Sequence, residues 1–134
     1  MRILFRAAGG QSFGQGHIAR CYRIFEKSAP DHFQALALTV DDNDFSDINS
    51  LNENFNKIIK ISTNMSDDED AHHTALAALN FNSDIVVTDI CHREIIEDSS
   101  RLVAYHNALR NEGINNIVCI GDCRIPETGA DLTI

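Results

Sequence analysis

The glycine-rich segment near the start of the chain carries the residues best suited to chemistry. Gly9, Gly10, Gly14 and Gly16 lie just before His17. Such a loop lets the backbone approach a ligand closely, and a helix starting near His17 presents its free N–H groups to an anion. The positive end of a helix disfavours the imidazolium form, which makes His17 a candidate proton acceptor. The alternative is a histidine that caps or packs the helix.

The same segment formally matches a dinucleotide fingerprint. Residues 14–19 read GQGHIA, which fits G-x-G-x-x-G/A. In a true fingerprint the motif starts directly at the strand end, whereas Ala7–Phe13 intervenes here. Asp41 follows the second predicted strand, where a ribose-binding acid would stand. Dinucleotide binding therefore remains a third hypothesis, and the Lys-Ser/Thr pair of a phosphate-binding P-loop is absent.

The other potential ligands do not form a metal motif. Cys119 and Cys123 are separated by three residues, and Cys91 is followed by His92, but tight paired CxxC spacing is missing. His72 and His73 are adjacent and point in different directions on a helix. We interpret the cysteines, including Cys21, as structural thiols, and we predict no metal site. The acidic run 41–44 is interpreted as a turn, because it lacks the glycine and terminal glutamate of a calcium loop.

Apolar periodicity predicts alternating strands and helices. Ser66 and Glu69 form a capping box for a helix that places Ala71, Ala75, Leu76, Ala78 and Leu79 on one face. The predicted strands are Arg2–Arg6, Phe33–Val40, Lys57–Ser62, Asp84–Asp89, Asn116–Ile120 and Asp131–Ile134. The first predicted helix begins near His17 and ends before Pro30. The other predicted helices cover 48–55, the residues after Ser66, and 99–112. This alternation predicts an α/β fold with a doubly wound, Rossmann-like parallel sheet in one domain, residues 1–134.

In such a sheet, ligands bind beyond the carboxyl ends of the strands. The segments at this edge are 7–17, 41–44, 62–67, 88–93 and 121–124. They include Asp89 at the end of the fourth predicted strand and Asp122 after the fifth. We therefore expect these carboxylates and His17 to belong to one edge of the sheet.

Composition limits the class of partner. The chain has 134 residues, 43% of them hydrophobic, and a formal net charge of −9. Nucleic-acid binding draws on clustered Lys and Arg, so this acidic balance argues against it. No apolar run approaches the ~20 residues of a membrane span, and Arg6 interrupts any signal-like stretch. We predict a cytoplasmic protein with a small-molecule ligand.

The opening residues resemble a known family. The segment MRILFRAAGGQSFGQGHIARC is similar to the N-terminal signature of the UDP-sugar hydrolase of pseudaminic acid biosynthesis and of related spore-coat polysaccharide proteins. That family reads approximately strand–RaD…GxGHxxR. The matching residues here are Arg6, Gly14, Gly16, His17 and Arg20. Asp89 and Gly121-Asp122 stand where the family has acidic turns after its fourth and fifth strands.

The resemblance implies the N-terminal lobe of a two-lobed GT-B fold and metal-independent, cofactor-free hydrolysis of a UDP-sugar with inversion. His17 would then take a proton from the water that attacks the anomeric carbon. The implied substrate-binding residues are Arg6, Gly14, Gln15, Gly16, Arg20, Asp89 and Asp122. Relatives of this family include glycosyltransferases, so a glycosyltransferase-like protein of surface-glycan biosynthesis is also implied.

Two positions depart from the family pattern. Ala8 stands where the family has Asp, and Cys91 where it has Tyr. The family chain is about twice as long, and its second lobe holds the UDP, so we expect a missing C-terminal lobe or a homodimer that covers the exposed face. The alternative function is a stand-alone sugar- or phosphate-binding module without catalysis.

Overall fold

The computed structural model describes residues 1–9, 16–27, 33–40, 55–62, 64–90, 99–121 and 127–134. Nine elements lie within these ranges. The strands are β1 (Arg2–Ala8), β2 (Phe33–Val40), β3 (Ile58–Ser62), β4 (Ile85–Asp89), β5 (Ile117–Cys119) and β6 (Leu132–Thr133), and the helices are α1 (Gly16–Lys27), α2 (Asp67–Phe81) and α3 (Ser99–Asn111). The helix predicted over 48–55 lies outside the described residues except at its last position.

The six strands form one sheet in the order β3-β2-β1-β4-β5-β6, with every neighbouring pair parallel. The predicted parallel α/β architecture is thereby confirmed. The order runs outward in both directions from β1 and β4, which is the strand order of doubly wound nucleotide-binding domains. The arrangement is compatible with a Rossmann-like fold.

Strand β1 is longer than predicted. Ala7 and Ala8 continue the ladder beyond Arg6, because they pair with Leu38 and Thr39 of β2. Ala7 is also the register partner of Asp89 on β4. This extension brings the end of β1 level with the end of β4. The prediction for β2 is confirmed at both ends, and the other four predicted strands differ from the observed ones by one residue at one or both ends.

The sheet carries a separate hydrophobic cluster on each face. On one face, Ile3, Phe5 and Ala7 pack with Ile18 and Cys21 of α1. On the other face, the buried residues come from alternate strand positions and from α2 and α3; they include Leu4, Val86, Ala71, Ala75, Leu102 and Leu109. Successive residues of a strand point to opposite faces, so β1, β4 and β5 each contribute to both clusters.

Helix α2 begins as predicted. Ser66 accepts a hydrogen bond from the backbone N–H of Glu69, and the Glu69 carboxylate accepts one from the N–H of Ser66, which completes the capping box. The assignment of its inner face was wrong for the leucines: Leu76 is 40% exposed and Leu79 is 49% exposed. Small residues form the buried face instead, since α2 packs closely against both the sheet and α3; they are Ala71, Thr74, Ala75, Ala77 and Ala78.

None of the helices in the described part of the chain is long and apolar enough to cross a membrane.

Candidate functional site

His17 and Asp89 meet at the carboxyl edge of the sheet. His17 is the second residue of α1, and Asp89 is the last residue of β4. The His17 Nδ1 lies 2.7 Å from Asp89 Oδ1. The contact stands between β1 and β4, the point at which the strand order reverses direction. In open α/β sheets this reversal creates the crevice in which ligands bind.

Asp89 is fully buried, and two side chains of α1 hold it. Arg20 forms a fork with both carboxylate oxygens: its Nε donates to Oδ2 at 2.9 Å, and its Nη2 donates to Oδ1 at 2.8 Å. His17 and Arg20 are three residues apart and therefore neighbours on one helix face. The exposed fraction of the side chain is 17% for His17, 51% for Arg20 and zero for Asp89. Asp89 is thus enclosed by protein, whereas His17 is partly exposed to solvent and Arg20 is half exposed.

The contacts define which nitrogen of His17 carries the proton. An ionised carboxylate only accepts hydrogen bonds, so the short Nδ1–Asp89 contact requires a proton on Nδ1. Arg20 Nη2 lies 3.0 Å from the same Nδ1. Because a guanidinium only donates, this contact is not a hydrogen bond once the Nδ1 proton is donated to Asp89, and Nη2 donates to Asp89 Oδ1 instead. In neutral His17 the basic lone pair then belongs to Nε2. This is the arrangement in which a carboxylate orients an imidazole for proton transfer.

Gly16 and Cys21 are the neighbours of His17 and Arg20 along α1. The Cys21 thiol is buried one residue along α1 from Arg20, and its pKa is raised well above the usual value by burial and by the nearby Asp89 charge. Gly16 is exposed, and apart from its chain neighbours and the backbone of its own helix, no described residue lies within 4 Å of the position that a Cβ on Gly16 would occupy. A buried, protonated thiol is not a nucleophile, so His17 is the candidate reactive group here.

Arg6 lies apart from this site. Its side chain points to the opposite face of the sheet, is only 2% exposed, and pairs with Asp70 through Nε at 3.0 Å and through Nη2. Tyr105 donates to Asp70 at 2.7 Å, and the Thr74 hydroxyl lies 3.3 Å from the same carboxylate. Although burial alone would raise the pKa of Asp70, the hydrogen bond and charge of Arg6 lower it. These contacts are those of a structural ion pair, and the binding role of Arg6 stays a prediction.

Sequence reasoning missed the partners of a second buried polar residue, His106. His106 lies inside α3 with Nε2 2.9 Å from the Thr88 hydroxyl, and its Nδ1 donates to the backbone oxygen of Thr128. The inward position of His106 follows from helical periodicity, but its partners on β4 and before β6 do not. Burial lowers the pKa of His106. The neutral imidazole therefore links α3 to the sheet next to Asp89.

The predicted site residues Gly14, Gln15 and Asp122 lie outside the described residues, and their predicted roles stay predictions. Cys91, His92 and Cys123, which were not predicted to belong to the site, also lie outside the described residues. Cys21 and Cys119 are buried, and neither forms a disulfide within the described residues. Within the described ranges, no group of three or more His, Cys, Asp or Glu side chains is arranged to hold a metal ion.

Comparison of the chain with protein-family models, with curated proteins and with solved structures finds no match.

Proposed function

We propose that the chain is the N-terminal lobe of a nucleotide-sugar hydrolase or of a glycosyltransferase-like protein, with His17 as general base. The observation that carries the proposal is the 2.7 Å contact between His17 Nδ1 and the buried Asp89 at the reversal of strand order. It orients an imidazole at the edge where α/β proteins bind ligands and leaves Nε2 as the basic nitrogen.

The chemical step needs one base and one electrophilic carbon. Nε2 of His17 takes a proton from water as the water oxygen bonds to the anomeric carbon. The bond between that carbon and the diphosphate oxygen breaks, and its electron pair leaves with UDP. The products are the free sugar, UDP and a proton on His17, which passes to solvent. Direct displacement inverts the anomeric configuration. Asp89 stabilises the imidazolium that forms, through the hydrogen bond on Nδ1.

The substrate class comes from the resemblance of the first twenty residues to UDP-sugar hydrolases. Arg20 matches the arginine of that motif and lies beside His17, and Asp89 matches the acidic turn. The overall acidic charge of the chain is compatible with a small anionic ligand, since local backbone N–H groups and single cations suffice to hold a phosphate. In the proposed enzyme, a second lobe holds the UDP.

The test is UDP release by the full gene product that contains these residues, assayed against a panel of UDP-linked acetamido sugars. The variant is His17→Gln, and the matched control is His72→Gln, an exposed histidine on α2 that pairs with Glu112. Loss of a general base costs about 10²–10⁴ in rate. We expect that loss for His17→Gln and an unchanged rate for His72→Gln.

Three outcomes are informative. The expected loss in turnover, with sugar binding retained, supports His17 as the base. Turnover that is unchanged by His17→Gln refutes the mechanism. Binding of UDP-sugars by calorimetry without any hydrolysis by the parent protein refutes the enzyme and supports a binding module.

A further inference from the structure

We infer that Arg20 is a positioning residue that keeps His17 neutral, and so able to accept a proton, by supplying the positive charge that Asp89 requires. The inference rests on the proposed function of His17. It assigns to Arg20 a role exerted through Asp89 rather than through the sugar or the diphosphate.

The argument begins with the burial of Asp89. Its carboxylate has no solvent exposure, and an ionised carboxylate in that position is strongly disfavoured unless a cation compensates its charge. In the described part of the chain, two side chains contact its oxygens, His17 and Arg20. One of them must carry the compensating charge. Arginine stays protonated at every pH a protein meets, whereas histidine titrates near neutrality.

The geometry shows that Arg20 can compensate the charge of Asp89 without a second cation. Its two parallel hydrogen bonds of 2.9 and 2.8 Å reach both oxygens of Asp89, which is the strongest arrangement of an arginine–carboxylate pair. When Arg20 supplies the positive charge, His17 can stay neutral and donate its Nδ1–H to Asp89. Without Arg20, the carboxylate would be compensated by an imidazolium at His17, and an imidazolium cannot act as a base.

Arg20 also disfavours a positive charge on His17 directly. Arg20 Nη2 lies 3.0 Å from His17 Nδ1, so a second positive charge on the ring would face the guanidinium. Among the described residues, the ionisable groups in contact with the imidazole include Asp89 from β4 and Arg20 from the same helix, and the charge of Asp89 acts in turn on the buried, protonated Cys21 thiol. From β1, the strand packed against α1, the face carries only apolar residues. Arg20 is therefore the cation that opposes protonation of His17.

The test is ¹⁵N NMR of the His17 imidazole at neutral pH, which distinguishes the two neutral tautomers from imidazolium. The variants are Arg20→Gln, which removes the charge, and Arg20→Lys, which retains it. The control is Arg23→Gln, which removes an exposed charge one turn along α1. Backbone spectra of each variant establish that it is folded.

In the parent protein we expect a neutral ring with the proton on Nδ1. In Arg20→Gln we expect the Nε2 resonance to move from the position of an unprotonated nitrogen to that of a protonated one, with Arg20→Lys and Arg23→Gln close to the parent. UDP release by Arg20→Gln at neutral pH should fall about tenfold or more and recover at higher pH.

The outcomes separate this inference from the proposed function. A parent protein whose neutral His17 carries its proton on Nε2, or whose ring is already an imidazolium, overturns both. A parent as expected, with an unchanged ring in Arg20→Gln, overturns only the role of Arg20. If Arg20→Gln does not fold, Arg20→Lys decides: a protonated Nε2 there contradicts charge compensation, and an unprotonated one supports it.

Discussion

Replacing Asp70 by alanine tests whether the Arg6 ion pair is a structural element of the fold. Asp70 stands in the first turn of α2, together with Asp67. Each carboxylate binds one arginine by two hydrogen bonds, Asp70 to Arg6 and Asp67 to Arg101. The two pairs differ in burial: side-chain exposure is 2% and 14% for Arg6 and Asp70, but 38% and 42% for Arg101 and Asp67. Asp67→Ala is therefore the matched control.

The magnitude follows from this difference. Removing one partner of a buried pair leaves an uncompensated charge and costs about 3–5 kcal/mol. Asp70→Ala also removes the acceptor of the Tyr105 hydroxyl, which adds to that cost. Asp67→Ala removes an exposed pair worth about 0.2–1 kcal/mol and a helix-dipole contribution of about 0.3–1 kcal/mol, and Asp70→Ala loses the dipole contribution as well. We expect Asp70→Ala to cost at least about 2 kcal/mol more than Asp67→Ala.

The assay is urea unfolding followed by circular dichroism, with the free energy of unfolding obtained by linear extrapolation. A typical domain has about 5–15 kcal/mol of stability, so the expected loss for Asp70→Ala is a large part of the total. Asp70→Asn keeps the shape and one acceptor oxygen and serves if the alanine variant does not fold. If the free energies of Asp70→Ala and Asp67→Ala agree within about 1 kcal/mol, burial does not govern the strength of the Arg6 pair and the reasoning is refuted.

Three further predictions concern the site and the loops. Asp89→Asn should lower UDP release about 10⁴-fold, as the corresponding change does in serine-protease triads, because a side-chain amide favours the wrong tautomer of the bound imidazole; a small loss contradicts the dyad. Because burial lowers the pKa of His106, its contribution to stability is complete above about pH 6.5 and is lost as pH falls below that value. Urea unfolding at about pH 7 and pH 5.5 should show a smaller pH dependence in His106→Gln, and an equal one refutes this. Gly129→Ala should lower the melting temperature more than Gly113→Ala, because both glycines have positive φ but only a Cβ at Gly129 would meet backbone, 3.2 Å from Val103 Cα.

Local patterns in the sequence predicted most of the fold. Strand–helix alternation and the capping box at Ser66 depend on neighbouring residues, and the structure confirms the elements they predicted. The rule that ligands bind at the carboxyl edge of a parallel sheet brought His17 and Asp89 to one region of the molecule. Their direct contact confirms this proximity.

The pairings between distant residues were not predictable from spacing. Arg6 and Asp70 are 64 residues apart, and a run of four acidic residues at the start of α2 is already explained by the helix dipole. Strand alternation does predict the face of the sheet on which Arg6 lies. Arg6 is two residues from Leu4 and next to Phe5, so its side chain is on the face of Leu4, away from α1. The exposed leucines of α2 were misplaced because a helix rich in alanine offers two similar apolar faces.

The separation of His17 and Asp89 along the chain has a consequence for folding. The partners of Asp89 lie 72 and 69 residues before it, and β2, β3 and α2 are formed by the intervening chain. Contacts between distant residues form late, since the loop-closure entropy must be overcome first. The imidazole therefore acquires its carboxylate only when β4 joins β1. Any partial opening that separates these two strands abolishes the site while helices such as α2 stay folded.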